Sequence, residues 1–139
     1  MSYELGLKCV TGQANADLSA RQYYPVALGS TSGRYAAVVT KGARIDGLLQ
    51  NAPSAAGRGA LVAIGGISKA IVNTSAAGTA IAYGDSLICG STAGNLAKSS
   101  TGGTAYRFAR AEEVCSTSTA NSAVVIAVRI THEGPTSTA

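Results

Sequence analysis

Glycines and small polar clusters interrupt this chain roughly every eight to twelve residues, the spacing of short strands joined by tight turns. The 17 glycines are spread along all 139 residues. No stretch carries the sustained 3.6-residue apolar period that a long helix would need. The core must therefore be assembled from strands. Roughly half of the positions are Ala, Gly, Ser or Thr, Trp is absent and Phe108 is the single Phe, so that core falls to Val, Ile and Leu. Charged residues make up only 13% and mean hydropathy is +0.20. A disordered chain shows the opposite balance, and a surface this poor in charge suits contact with neighbouring subunits.

Ala123 to Ile130 is the clearest strand. Val124, Ile126, Val128 and Ile130 fall on one face by the two-residue period, with Ala123, Val125, Ala127 and Arg129 on the other. Arg34 to Thr40 reads as a strand that turns at Lys41-Gly42 and returns through Ile45, Leu48 and Leu49. Ala60 to Ile64 and Ile67 to Val72 read as a hairpin about Gly65-Gly66, since glycine accepts the positive φ of a primed turn. Leu87 to Cys89 and Leu96 to Ser99 predict a second hairpin, and Tyr106 to Val114 a further strand. One short helical turn over Asn15 to Arg21, capped by Asn15, is the only helical signal.

These segments predict an all-β fold, a small β-barrel or β-sandwich of short strands with little helix. A single β-rich domain, 15–132, is expected between an extended N-terminal arm, 1–14, and a flexible tail, 133–139. Neither end has the apolar density to join a core by itself, so a chain lacking 1–14 is expected to fold. Within the arm, Tyr3, Leu5, Leu7 and Cys9 alternate with Glu4, Gly6 and Lys8. Alternation of this kind suits an extended segment that adds a strand to a partner's sheet edge, and it suits equally a first strand of the domain's own sheet.

The formal net charge is +4, from 11 Lys and Arg against 7 Asp and Glu. The bases are spread almost evenly, without a basic run or interleaved aromatics, so nucleic acid is not an expected partner. Cys9, Cys89 and Cys115 are far apart, and His132 is the only histidine, which leaves no zinc-ligand pattern. The thiols are expected to be free and mostly buried, as in a reducing cytoplasm. The longest apolar stretch, Gly59 to Ile67, is too short for a bilayer, and no membrane partner is expected.

Catalytic patterns are equally sparse. His132 lies just past the last strand and reads as a surface histidine of the tail. Glu112 and Glu113 are adjacent, so on a strand they point to opposite faces. Asp46 and Asp85 flank glycines and read as turn residues. There is no P-loop, and Gly57-Arg58-Gly59 precedes a strand rather than a helix, so no phosphate cradle forms. No enzymatic activity, catalytic residue, cofactor or metal is expected. An active site shared between subunits would require Asp85, Glu112 or Glu113 to converge across an interface.

Several segments taken together carry a resemblance. Asp17-Leu18-Ser19-Ala20-Arg21-Gln22-Tyr23-Tyr24-Pro25-Val26 precedes Gly47-Leu48-Leu49-Gln50-Asn51-Ala52-Pro53. Val62, Gly66-Ile67-Ser68-Lys69-Ala70, Gly84-Asp85-Ser86-Leu87 and Ala109-Arg110-Ala111-Glu112-Glu113 follow in order. This series, from about Asp17 to Thr131, resembles a family of small bacteriophage capsid decoration proteins, also called cement or head-stabilising proteins. The family was formerly a domain of unknown function, sometimes labelled as recombinases, and the ATP-binding loop such a label needs is absent here. The resemblance implies a virion structural protein, made in the host cytoplasm and seated on the outer capsid surface. It implies a homotrimer near local threefold axes, with the phage major capsid protein as partner. The arm residues Tyr3, Leu5, Leu7 and Cys9 are the expected capsid contacts, inferred from their pattern rather than from a family motif. The alternative is a tail or fibre-associated module of the virion, for which Tyr23, Tyr24, Tyr83 and Tyr106 would supply sugar-stacking rings.

Overall fold

A computed structural model describes residues 4–30, 32–73, 80–90, 94–99, 105–115 and 123–135. Among these there are nine strands and no helix: β1 (Leu5–Gln13), β2 (Pro25–Leu28), β3 (Tyr35–Ala37), β4 (Gly47–Leu49), β5 (Gly59–Asn73), β6 (Ser86–Cys89), β7 (Leu96–Lys98), β8 (Tyr106–Ala111) and β9 (Ala123–Pro135). All belong to one sheet, and its pairings run in a ring from β5 through β7, β6, β8 and β9 back to β5. Every contact in that ring is antiparallel except β5 with β7, which meet in parallel at Val72 and Leu96. β3, β2 and β4 extend the sheet from the first half of β5, while β1 pairs with β5 separately. The all-β expectation holds, as a barrel-like ring with a side sheet.

β5 organises the whole. Its first half pairs with β1 and β4, its second half with β9 and β7. The expected hairpin at Gly65-Gly66 does not form: residues 59–73 are one strand, with only Gly66 at positive φ, +84°. The glycine pair makes a corner instead. Gln50 N–H donates to Leu61 O at 2.7 Å, while its Nε2 donates to Ser68 Oγ at 2.9 Å. In a straight strand residues 61 and 68 would stand ~23 Å apart, beyond the reach of one side chain. Glycine kinks of this kind let a sheet turn and close.

The apolar side chains form two clusters. The larger fills the ring with Phe108, Ile45, Leu48, Val72, Ile81, Leu87, Leu96, Ile126 and Val128. The smaller comprises Ala14, Leu18, Val26, Tyr35, Leu49, Ala60 and Val62. Leu48 and Leu49 are neighbours on β4 yet belong to different clusters, since successive side chains of a strand point to opposite faces. β4 therefore serves as the wall between them.

Several expectations need correction. Of the expected arm, residues 1–3 lie outside the described residues. Leu5–Gln13 is β1, paired antiparallel with β5 from Ile67 to Gly59 as a strand of the domain's own sheet, the second of the two readings of this segment. Ala14 is fully buried, and Val10 packs beside it. The tail begins later than expected, because β9 runs to Pro135 on the edge of β8; residues 136–139 lie outside the described residues. β3 and β4 do not return against each other, since both pair with β2, whose short chain sits between them. β8 stops at Ala111, before Glu112 bends away. Asn15 caps no helix: a turn closes from Arg21 N–H to Leu18 O, and Asp17 Oδ1 accepts from Ser19 N–H. The β6–β7 hairpin is found as expected.

Candidate functional site

The corner in β5 brings together three of the segments that carry the family resemblance. Tyr23 N–H donates to Leu49 O at 2.6 Å, and Ile71 N–H donates to Tyr23 O at 3.1 Å, so one residue joins β4 to the far half of β5. Gln22 Nε2 donates to Gln50 O at 2.9 Å. Ser68, fully buried, accepts from Gln50 and donates to Lys69 O at 3.0 Å. The Lys69 ammonium lies 5.8 Å from the centre of the Tyr23 ring, and the Arg21 guanidinium 5.2 Å from that of Tyr24, both within cation–π range. Tyr23 holds φ at +69°, a conformation that costs a bulky residue on the order of 1–2 kcal/mol. Its two backbone bonds hold it there.

Beyond this junction, the face of β5 away from the ring interior carries Ile67, Lys69 and Ile71, alternating with buried Ser68, Ala70 and Val72. Leu5 stands opposite Ile67, and Val125 opposite Ile71. Leu5 is 66% exposed and Val125 37%. The result is two apolar pairs on the outer face of β1, β5 and β9, Leu5 with Ile67 and Ile71 with Val125, with Lys69 between them along β5 and Arg129 opposite Ile67.

Of the four residues expected to make the arm's contact surface, Tyr3 lies outside the described residues. Leu5 and Cys9 are exposed, whereas Leu7 is half-buried against the main cluster. Register shifts between Leu5 and Lys8 and between Lys8 and Cys9 break the regular alternation, so the pattern does not make one face of these residues. The face that does form is completed by Ile67, Ile71 and Val125. Their own alternation carries the signal, but only the register shows that Ile67 stands opposite Leu5 and Ile71 opposite Val125.

The acids do not converge within one chain. Glu112 pairs with Arg129 at 2.7 Å, while Glu113 Oε2 accepts from Ala127 N–H at 2.7 Å. Asp46 accepts from Leu28 N–H and pairs with Arg44, and Glu133 pairs with Arg110. His132 is not in a loose tail: it lies in β9 with φ at +48°, its ring edge-on to Phe108 and Nε2 3.1 Å from Ile64 O. Among the described residues no three His, Cys, Asp or Glu side chains gather as a metal site. Of the tyrosines, Tyr83 is 72% exposed, and Tyr23, Tyr24 and Tyr106 are half-buried.

Asp85 illustrates how turn acids stabilise this fold. Its Oδ2 accepts from Ala82 N–H at 2.8 Å and lies 3.1 Å from Lys98 Nζ. The backbone bond first, and Lys98 after it, hold the carboxyl below its ordinary value of 3.8. A depressed folded-state value means the contribution is full above the unfolded value and is lost as pH falls through the folded one. Asp85→Asn is therefore expected to shrink the stability lost between about pH 5 and about pH 2, as followed by denaturant melts across that range.

The thiols divide by burial. Burial pushes Cys89 up to about 11 and raises Cys115 as well. Cys9 is exposed, though slight burial and then Glu4 raise it too. Since the thiolate is the nucleophile, titration with an aromatic disulfide at mildly alkaline pH is expected to show one accessible thiol, missing in Cys9→Ser. The other two should react only after denaturation. No protein-family model matches this chain, and no curated protein matches it significantly.

Proposed function

We propose that this chain is a capsid decoration protein, which binds the outer surface of a phage head and stabilises it, as a homotrimer near local threefold axes. The observation that carries the reading is the pair of outward apolar contacts on one sheet face, where exposed Leu5 stands opposite half-buried Ile67 and exposed Val125 opposite half-buried Ile71. An exposed apolar surface on a sheet is a contact surface, and the engaged, dispersed acids favour binding over chemistry. Three of the segments that resemble the decoration family, 17–26, 47–53 and 66–70, meet at the β5 corner beside Ile67, which supports the same reading.

The physics needs no reaction. A protein that binds the assembled shell and not its dissociated subunits stabilises the shell by mass action, by ~2.7 kcal/mol per site at ~100 times the dissociation constant. A trimer adds avidity, because its second and third contacts are intramolecular. The test is the copy number of this chain in purified virions relative to the major capsid protein, by quantitative mass spectrometry. A ratio near one to one is expected. A handful of copies would replace this reading by a tail or fibre module, and absence from the particle would end both. Leu5→Asp, at a site where the side chain faces solvent, is expected to leave the fold intact and weaken shell binding at least ~10-fold.

A further inference from the structure

A shallow cleft of about 430 Å³ is lined by Asn51, Ala52, Pro53, Ser54, Arg58 and Gly59. Its walls are fixed from behind. Asn51 Nδ2 donates to Gly59 O at 2.9 Å and its Oδ1 accepts from Leu61 N–H at 3.0 Å, so both ends of the amide are tied to β5. Leu18 N–H donates to Pro53 O, and Ala14 N–H to Arg58 O, each at 2.8 Å. The one charged group in the lining, the exposed Arg58 guanidinium, has no hydrogen-bond or ion-pair partner among the described residues. That sets it apart from Arg44, Arg110 and Arg129, each of which holds a carboxylate. The space beside Arg58 is open: a Cβ at Gly59 would meet nothing within 4 Å.

We infer that this cleft takes an acidic side chain from an extended segment of a protein partner. A guanidinium fork matches a carboxylate bidentately, the Ser54 hydroxyl is a further donor in the lining, and the exposed Ala52 methyl offers apolar surface to the ligand's methylenes. The charge arithmetic favours this class of partner: the chain has a net +4, and Asp46, Asp85, Glu112 and Glu133 are already paired with its own bases. One cation in the lining suits a monoanion; a phosphate dianion would call for more. The inference is independent of the capsid reading and survives if that reading fails.

The experiment is a 15N NMR titration of the full chain with the peptide acetyl-Gly-Glu-Gly-amide, against its Gln counterpart and inorganic phosphate. A lone exposed pair contributes little, so weak binding, on the order of 100 mM, is expected. Amide shifts should centre on Asn51, Ser54 and Gly59 together with the Arg58 side-chain Nε–H. The Gln peptide should bind ~3- to 5-fold more weakly, and Arg58→Gln should abolish the preference without altering the rest of the spectrum. Arg58→Lys should retain part of it, as a point charge without the fork. Equal binding of the Gln peptide, unchanged binding to Arg58→Gln, or tighter binding of phosphate would each overturn the inference.

Discussion

Replacing Gly66 by alanine is expected to lower the unfolding free energy by about 3 kcal/mol or more, whereas the same change at Gly65 should cost less than about 1 kcal/mol. The two glycines are neighbours with unlike surroundings. Gly66 sits at φ +84°, and a Cβ there would lie 2.2 Å from Gly6 O and 2.6 Å from Gly6 C. Backbone of β1 cannot give way as a flexible side chain would, so the strain of the left-handed conformation adds to a steric conflict. At Gly65 the nearest atom to a new Cβ is Lys8 Cβ, at an ordinary 3.6 Å. Chemical denaturation of both variants, with hydrogen exchange along β1, measures the difference. If Gly65→Ala proves as damaging as Gly66→Ala, the corner is not made by Gly66.

That corner also marks where the sequence stops being legible. Strand content follows from local spacing, and β9 follows from the alternation of Val124, Ile126, Val128 and Ile130, the last three of which are buried. The β6–β7 hairpin is equally local. At Gly65-Gly66, by contrast, glycine permits either a reversal or a bend, and the choice is made by partners distant in the chain. β1 and β9 each claim part of β5, so the strand continues. The convergence of Tyr23, Gln50 and Ser68 depends on the same bend and is hidden from local spacing for that reason. Tyr23's positive φ has no signature in its residue type, which ordinarily avoids that region. The chain ends differ from expectation because apolar bulk is not the only route into a core. β1 joins mainly through its backbone ladder, and Ala14 through a methyl group that fits a closed site.

A chain lacking residues 1–14 is accordingly expected to lose on the order of 5 kcal/mol, which is the whole stability of many domains of this size. The ladder from Leu5 to Gln13 would vanish, leaving the first half of β5 with unpaired N–H and C=O groups on one edge. Each lost bond counts roughly 1 kcal/mol. The smaller cluster would lose Ala14 and the cover of Val10. Tyr35 would lose its floor, since its ring lies so close over Gly12 that a Cβ there would come within 2.6 Å of it. The Ala14–Arg58 and Gly57–Ala14 backbone bonds would go as well, both at 2.8 Å, freeing the wall of the Arg58 cleft. Circular dichroism melts of the truncated and full chains should show a cooperative transition only in the full chain, or one shifted far down in the truncated form. Retention of the full melting temperature would mean that 1–14 is a detachable arm after all, free to pair with another protein's sheet, and that the first half of β5 tolerates an open edge. Loss of the transition would make Leu5–Gln13 an integral strand, and under the decoration function proposed above Leu5 would then act through a rigid face rather than through a reaching arm.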